Sequence, residues 1–113
     1  INCGFKFRIH LSSEMIVMSI EDWRKKIDQI DMELVELLNE RSQCAIEIGR
    51  IKEGSKTPIY APNREKKVID NVQKATKGPL TQKAIKRLFE RIIDESRRAE
   101  REAQLNREQS DSE

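Results

Sequence analysis

Apolar residues fall at Ile20, Trp23, Ile27, Ile30, Leu34 and Leu37, then at Cys44, Ile48 and Ile51, in steps that alternate between three and four. That spacing is the stripe of one long amphipathic helix. Thirty-odd residues at about 1.5 Å each make a rod of roughly 50 Å. A 113-residue chain cannot cover such a rod by itself, so the stripe must meet another part of the chain or another copy of it. The position between Leu37 and Cys44 that continues the row is Arg41. A guanidinium in an apolar row is costly unless an anion meets it.

The rest of the chain has the same helical character. The full sequence is 37% charged and 36% hydrophobic, with 4% aromatic residues, which suits amphipathic helices and not a sheet sandwich. The 22 basic and 20 acidic residues leave a net charge of +2, so nothing global advertises nucleic-acid or membrane binding. No apolar run is long enough to span a membrane, and the first residues lack the features of a signal peptide. Two cysteines, Cys3 and Cys44, make no disulfide framework. Cys44 on the helix stripe reads as a buried reduced thiol, and a cytoplasmic location is the expectation.

Residues 1–17 share no period with the long helix and do not begin with Met, although Met15 and Met18 are candidate starts. They read as an extension or as a cloning or start-site remnant, and their His10 as an incidental polar residue. Ser19 is placed to cap the long helix, with Glu21 and Asp22 in its first turn, and Gly54-Ser55 followed by Pro58 to end it. A connecting loop runs to Pro62. A short second helix is expected from Asn63 to Ala75, burying Val68, Ile69 and Val72. Lys77-Gly78-Pro79 breaks the chain, and Thr81 caps a third helix of medium length. Ile85, Leu88, Phe89, Ile92 and Ile93 share one face of it, which continues through Ser96, Ala99, Glu100 and Ala103. Residues 18–104 thus read as one all-α domain of three helices, and 105–113 as a polar, disordered tail.

Polar residues interrupt the inward faces at three places. Arg41 and Lys52 are eleven residues apart, which puts them within roughly 20° of one face and about 16 Å apart along the axis. Two long side chains so placed can hold opposite ends of one small anion. Arg24 lies roughly 25 Å from Arg41 on the same rod, too far to share that ligand within one chain. In an antiparallel pair of such helices the partner's copy of that arginine arrives near the Lys52 end. Arg64-Glu65 opens the second helix, where a solvated first turn is the plain reading. Ser96 and Glu100 sit one turn apart on the buried stripe of the third, and a Glu there needs a partner or a raised pKa. Cations and one buried acid, with no metal-ligand set, suit binding a small polyanion and stabilising charge.

The runs WRKKIDQIDMELVELLNERSQCAIEIGRIK, PIYAPNRE and RLFERIIDESRRAE resemble the all-helical (AroQ-class) chorismate mutases from about Glu21 to Glu100. The resemblance implies a three-helix chain in an intertwined homodimer with two active sites, each borrowing one Arg from the partner's long helix. By position, Arg24 resembles that cross-subunit Arg, which contacts a substrate carboxylate, and Arg41 the Arg that grips the other carboxylate. Lys52 matches the Lys bonded to the ether oxygen and a carboxylate. Arg64 matches a supporting cation, and Glu65 a carboxylate that accepts from the substrate hydroxyl. Ser96 lines the pocket, and Glu100 stands where a Gln or Glu faces the ether oxygen opposite Lys52. Many members carry Asp where this chain has Ala61, and Glu100 is the acidic variant.

The implied activity is the Claisen rearrangement of chorismate to prephenate in phenylalanine and tyrosine biosynthesis, with no cofactor, metal or covalent intermediate. The chain reads as a stand-alone enzyme. Isochorismate–pyruvate lyase on the same scaffold is one rival. A mutase-like domain that senses prephenate or works with a partner enzyme is a second, and a plain helical interaction module a third.

Overall fold

A computed structural model describes residues 18–111 of the chain. The expectations for residues 1–17, including Cys3, His10 and Met15, lie outside these. Three helices succeed one another: α1 (Ile20–Ser55), α2 (Pro62–Ala75) and α3 (Gln82–Asp111). The all-α expectation holds, with no strand among the described residues.

Each helix starts for a local reason. At α1 the Asp22 amide donates to Ser19 Oγ at 3.2 Å, and the Ser19 amide donates back to Asp22 Oδ2 at 3.1 Å. This is a reciprocal capping box with Asp in place of Glu. The bonds that the Ser19 amide and then the Ser19 hydroxyl donate to Asp22 Oδ2 hold the Asp22 carboxyl below its ordinary pKa. Thr81 caps α3 by accepting from the Ala84 amide at 3.1 Å. At α2 the cap position is Ala61, which has no side-chain acceptor, and Pro62 in the first turn presets the backbone.

The end of α1 differs from expectation. Gly54 and Ser55 remain helical, and the left-handed position falls to Lys56, with φ of 59°. The Thr57 amide donates to the Lys52 carbonyl at 2.8 Å, and the Lys56 amide to that of Glu53 at 3.2 Å. This double closure satisfies the Lys52 and Glu53 carbonyls, and it offsets the modest strain of a non-glycine residue there. The break at Lys77-Gly78-Pro79 is as expected: Gly78 has φ of 88°, and the Gly78–Pro79 peptide is cis.

Residues 105–111, expected as a disordered tail, are the last turns of α3. Gln104 Nε2 donates to Glu108 Oε1 at 3.3 Å, and Arg107 Nη2 lies 2.7 Å from Glu53 Oε2 on α1. Such pairs support helix where no apolar face exists to do so. The third helix is therefore 30 residues long, nearly a match for the 36 of α1.

By contacts the chain divides inside α1 into two compact units, the first ending at Glu36 and the second beginning at Leu37. In the first, Ile20, Trp23, Ile27, Ile30 and Leu34 are all exposed, Ile20 by 72%. In the second, α2 packs along α3 and half-buries Val68, Ile69, Val72, Ile85, Phe89, Ile92 and Ile93. Leu88, assigned to that buried face by its spacing, is exposed, because one short neighbouring helix covers only a narrow strip. Cys44, expected as a buried thiol, is exposed and free. Its face of α1 has no apolar cover among the described residues: Leu37, Ile48 and Ile51 are exposed beside it. Among the described residues no apolar side chain is fully buried.

Candidate active site

The second unit contains a cavity of about 230 Å³ whose walls come from all three helices. The eleven-residue spacing on α1 brings Arg41 and Lys52 to it together, as the helix geometry requires. The first turn of α2 contributes Arg64 and Glu65, and α3 contributes Ser96, Arg97 and Glu100. Ala45, Ile48, Val68 and Ile93 form the apolar wall, and Cys44 and Ala61 complete the lining.

The two α1 cations are each held on an uncharged acceptor. Arg41 Nη1 donates to Ser96 Oγ at 2.9 Å, and Lys52 Nζ donates to the Ile59 carbonyl at 3.2 Å. Ser96, only 4% exposed, is the buried polar residue of the described chain. Neither acceptor is charged, so both cations keep capacity for an anion. Glu65 is different: its Oε2 accepts from Arg97 Nη2, and the Arg97 guanidinium carbon lies 4.9 Å from the centroid of the Tyr60 ring.

Glu100 presents the opposite problem. Its Oε2 is buried and has no hydrogen-bond partner. Burial pushes this carboxyl above its ordinary pKa, while Lys52, then Arg97 and Arg101, pull it back. Desolvation wins, so the proton is retained further up the pH scale than on a free Glu. Buried Gly49 on α1 makes the space for it: a Cβ there would sit 3.2 Å from that oxygen.

Six of the seven residues singled out from sequence (Arg41, Lys52, Arg64, Glu65, Ser96 and Glu100) line this one cavity. Arg24 is not among its lining residues; it is exposed on the N-terminal half of α1. Two residues escaped sequence reasoning. Arg97 comes directly after Ser96 and precedes Glu100 by three, so it belongs to the edge of their stripe. Gly49 is a glycine inside a strong helix, a placement that costs roughly 1 kcal/mol and so flags a close approach.

The arrangement offers fixed positive charge on one side of a small space and, on another, a carboxyl that donates a hydrogen bond when protonated. The cavity lining holds no His, Ser–base pair or acidic cluster, and the described residues contain no group of side chains suited to a metal. No helix among the described residues is long and apolar enough to cross a membrane. Electrostatic stabilisation of a bound anion is the chemistry this set can perform.

Comparison with known proteins gives a consistent result. Residues 23–101 match the chorismate mutase type II family. A bifunctional chorismate mutase/prephenate dehydratase of Neisseria gonorrhoeae is 41% identical over 78 residues, which are 69% of this chain and 21% of that protein. The chain thus spans about a fifth of the length of the curated bifunctional relatives it matches first. Among solved structures, chorismate mutase form II of Thermus thermophilus superposes with a TM-score of 0.67 at 32% identity, covering 68% of this chain and 88% of that one. Chorismate mutase of Helicobacter pylori in complex with prephenate gives 0.69 at 28% identity, covering 74% and 91%.

Proposed function

The chain belongs to the chorismate mutase type II family, and from that premise we propose that it rearranges chorismate to prephenate. The observation that carries this reading is the meeting of Arg41, Lys52 and Glu100, from two helices, around one small cavity. The prephenate complex of the Helicobacter pylori protein supports the same ligand class.

The reaction breaks the C–O bond of the enol ether and forms a C–C bond within one molecule. It needs the dianion held in its compact reactive conformer, and negative charge must be stabilised on the departing ether oxygen. Arg41 takes one carboxylate, leaving Ser96. Lys52 leaves the Ile59 carbonyl for the ether oxygen and a carboxylate. Protonated Glu100 donates to the same oxygen from the other side, which satisfies an atom otherwise without a partner. Arg64 adds positive potential, and Glu65 accepts from the substrate hydroxyl. Ala61 lacks the carboxylate common at that place, so any contact there comes from its backbone.

The active form is an intertwined homodimer in which Arg24 of one copy completes the other copy's site and takes the second carboxylate. The uncovered apolar stripe of α1 supports this, since a chain with no buried apolar side chain among its described residues needs a second copy to form a core. Residues 18–104 form the catalytic domain, no cofactor takes part, and the location is the cytoplasm, where aromatic amino acids are made.

Mixing the protein with chorismate and measuring the loss of ultraviolet absorbance tests the activity. Conversion to prephenate is expected. Absence of turnover, or release of pyruvate from isochorismate in its place, would reject the mutase reading.

A further inference from the structure

Arg97 lines the cavity yet has no role in the chemistry above. It joins three segments: from α3 it donates to Glu65 in the first turn of α2, and its guanidinium packs on Tyr60 in the preceding loop. A weaker approach at 3.6 Å links it to Asp94, one turn back on α3 and largely exposed. Arg97 itself is largely covered, with its side chain 20% exposed.

The charges around the cavity show what this contact does. Arg41, Lys52, Arg64 and Arg97 are basic, and Glu65 and Glu100 are acidic. Glu100 is favoured as the neutral acid, so Glu65 is the one carboxylate that would oppose an entering dianion. Closed against Arg97, it is neutralised, and Arg41, Lys52 and Arg64 remain to face the ligand. The same contact fixes the direction of its second oxygen. We propose that Arg97 is a positioning residue: it orients and neutralises Glu65 so that this carboxylate can receive the substrate hydroxyl without repelling the dianion. This rests on the mutase reading and adds a residue to it. The planar guanidinium is what the geometry asks for, because it can bond a carboxylate edge-on while lying on an aromatic ring. A plain strut between helices is the weaker account, because a partly exposed ion pair contributes little to stability.

The hydroxyl takes no part in the bonds that break and form, so its contact acts alike on ground and transition states and appears in KM. The test measures kcat, KM for chorismate and a thermal melt on the full chain as wild type, Arg97→Met, Arg97→Lys, Glu65→Gln and the double variant Arg97→Met/Glu65→Gln. Arg97→Met is expected to raise KM about tenfold, with kcat within about twofold. Arg97→Lys recovers part of that loss, because it keeps the charge without the planar fork. In the Glu65→Gln background the KM effect of Arg97→Met disappears, since no carboxylate remains to hold. An unchanged KM, a fall in kcat alone, or an equal rise in both backgrounds overturns the proposal. If Arg97→Met fails to fold, Tyr60→Leu at a 59% exposed ring replaces it, with a smaller KM rise that must likewise vanish beside Glu65→Gln. A wild-type chain that leaves chorismate untouched overturns the mutase reading and this proposal with it; turnover with independent variants overturns the proposal alone.

Discussion

Lys52 and Glu100 approach the same space with opposite electrostatic histories. Lys52 rests on a carbonyl at 3.2 Å and is free to exchange it for an anion. Removing one preorganised donor from a developing oxyanion costs on the order of 3 kcal/mol of barrier. Lys52→Ala is therefore expected to lower kcat at least a hundredfold with its circular dichroism unchanged, and a folded variant of near-normal activity would refute the role. In the role proposed for it Glu100 must be the acid, because a carboxylate would repel the ether oxygen. With its native pKa raised, first by burial, the active protonated fraction falls as pH rises, so kcat/KM should decline toward alkaline pH. Glu100→Gln should flatten that profile, and coincident curves would exclude the assignment. Stability has the same sign: a raised carboxyl favours the fold most below its ordinary pKa of 4.5 and loses that contribution as pH climbs through the native value.

Among the helices, α2 has the weakest start. Ala61 at its cap offers no acceptor, and the first helical hydrogen bond runs from the Glu65 amide to the Ala61 carbonyl at 3.0 Å. An aspartate at a cap position can accept from the free amides of the first turn, and the positive end of the helix favours the charge. Ala61→Asp should stabilise the protein by about 1 kcal/mol, read as an upward shift of the urea midpoint at constant slope. No shift would mean that the backbone at position 61, with φ of −132° and ψ of 81°, keeps the new side chain out of reach. The last turns of α3 illustrate the reverse case. Their composition is that of a disordered tail, yet pairs such as Arg107 with Glu53 tie a polar helix to α1.

At the scale of the molecule, the exposed stripe of α1 is the dominant fact. Ile20 and Ile51 near its two ends are 72% and 71% exposed, and every large apolar residue of the row between them is exposed as well. Covered by a second copy, such a surface makes folding and assembly one process, so the melting temperature should rise with protein concentration. The cross-subunit role proposed for Arg24 gives a sharper expectation. Arg24→Ala and Arg41→Ala should each be inactive, but co-refolding them yields mixed dimers in which one of the two sites is intact. Random mixing should restore about a quarter of wild-type activity per site. If the mixture stays inactive while dimers form, the two arginines serve the same site within one chain.

The helices were legible because their information is local: a three–four apolar row, Ser19 and Thr81 as caps, and a glycine–proline break. The Arg41–Lys52 pairing was legible too, because helical geometry alone fixes which side chains share a face. The resemblance to a known family then linked Arg64, Glu65, Ser96 and Glu100 before any contact was visible. What the row could not say is whether it is covered. Cys44 and Leu88 fit their stripes and stay exposed, because burial depends on what packs opposite and not on spacing. Arg97 looked like one more charge on a helix rich in them, and Gly49 like a weak point in α1. Their meaning comes from Glu65, Tyr60 and the Glu100 carboxyl, which come within reach only once the three helices meet.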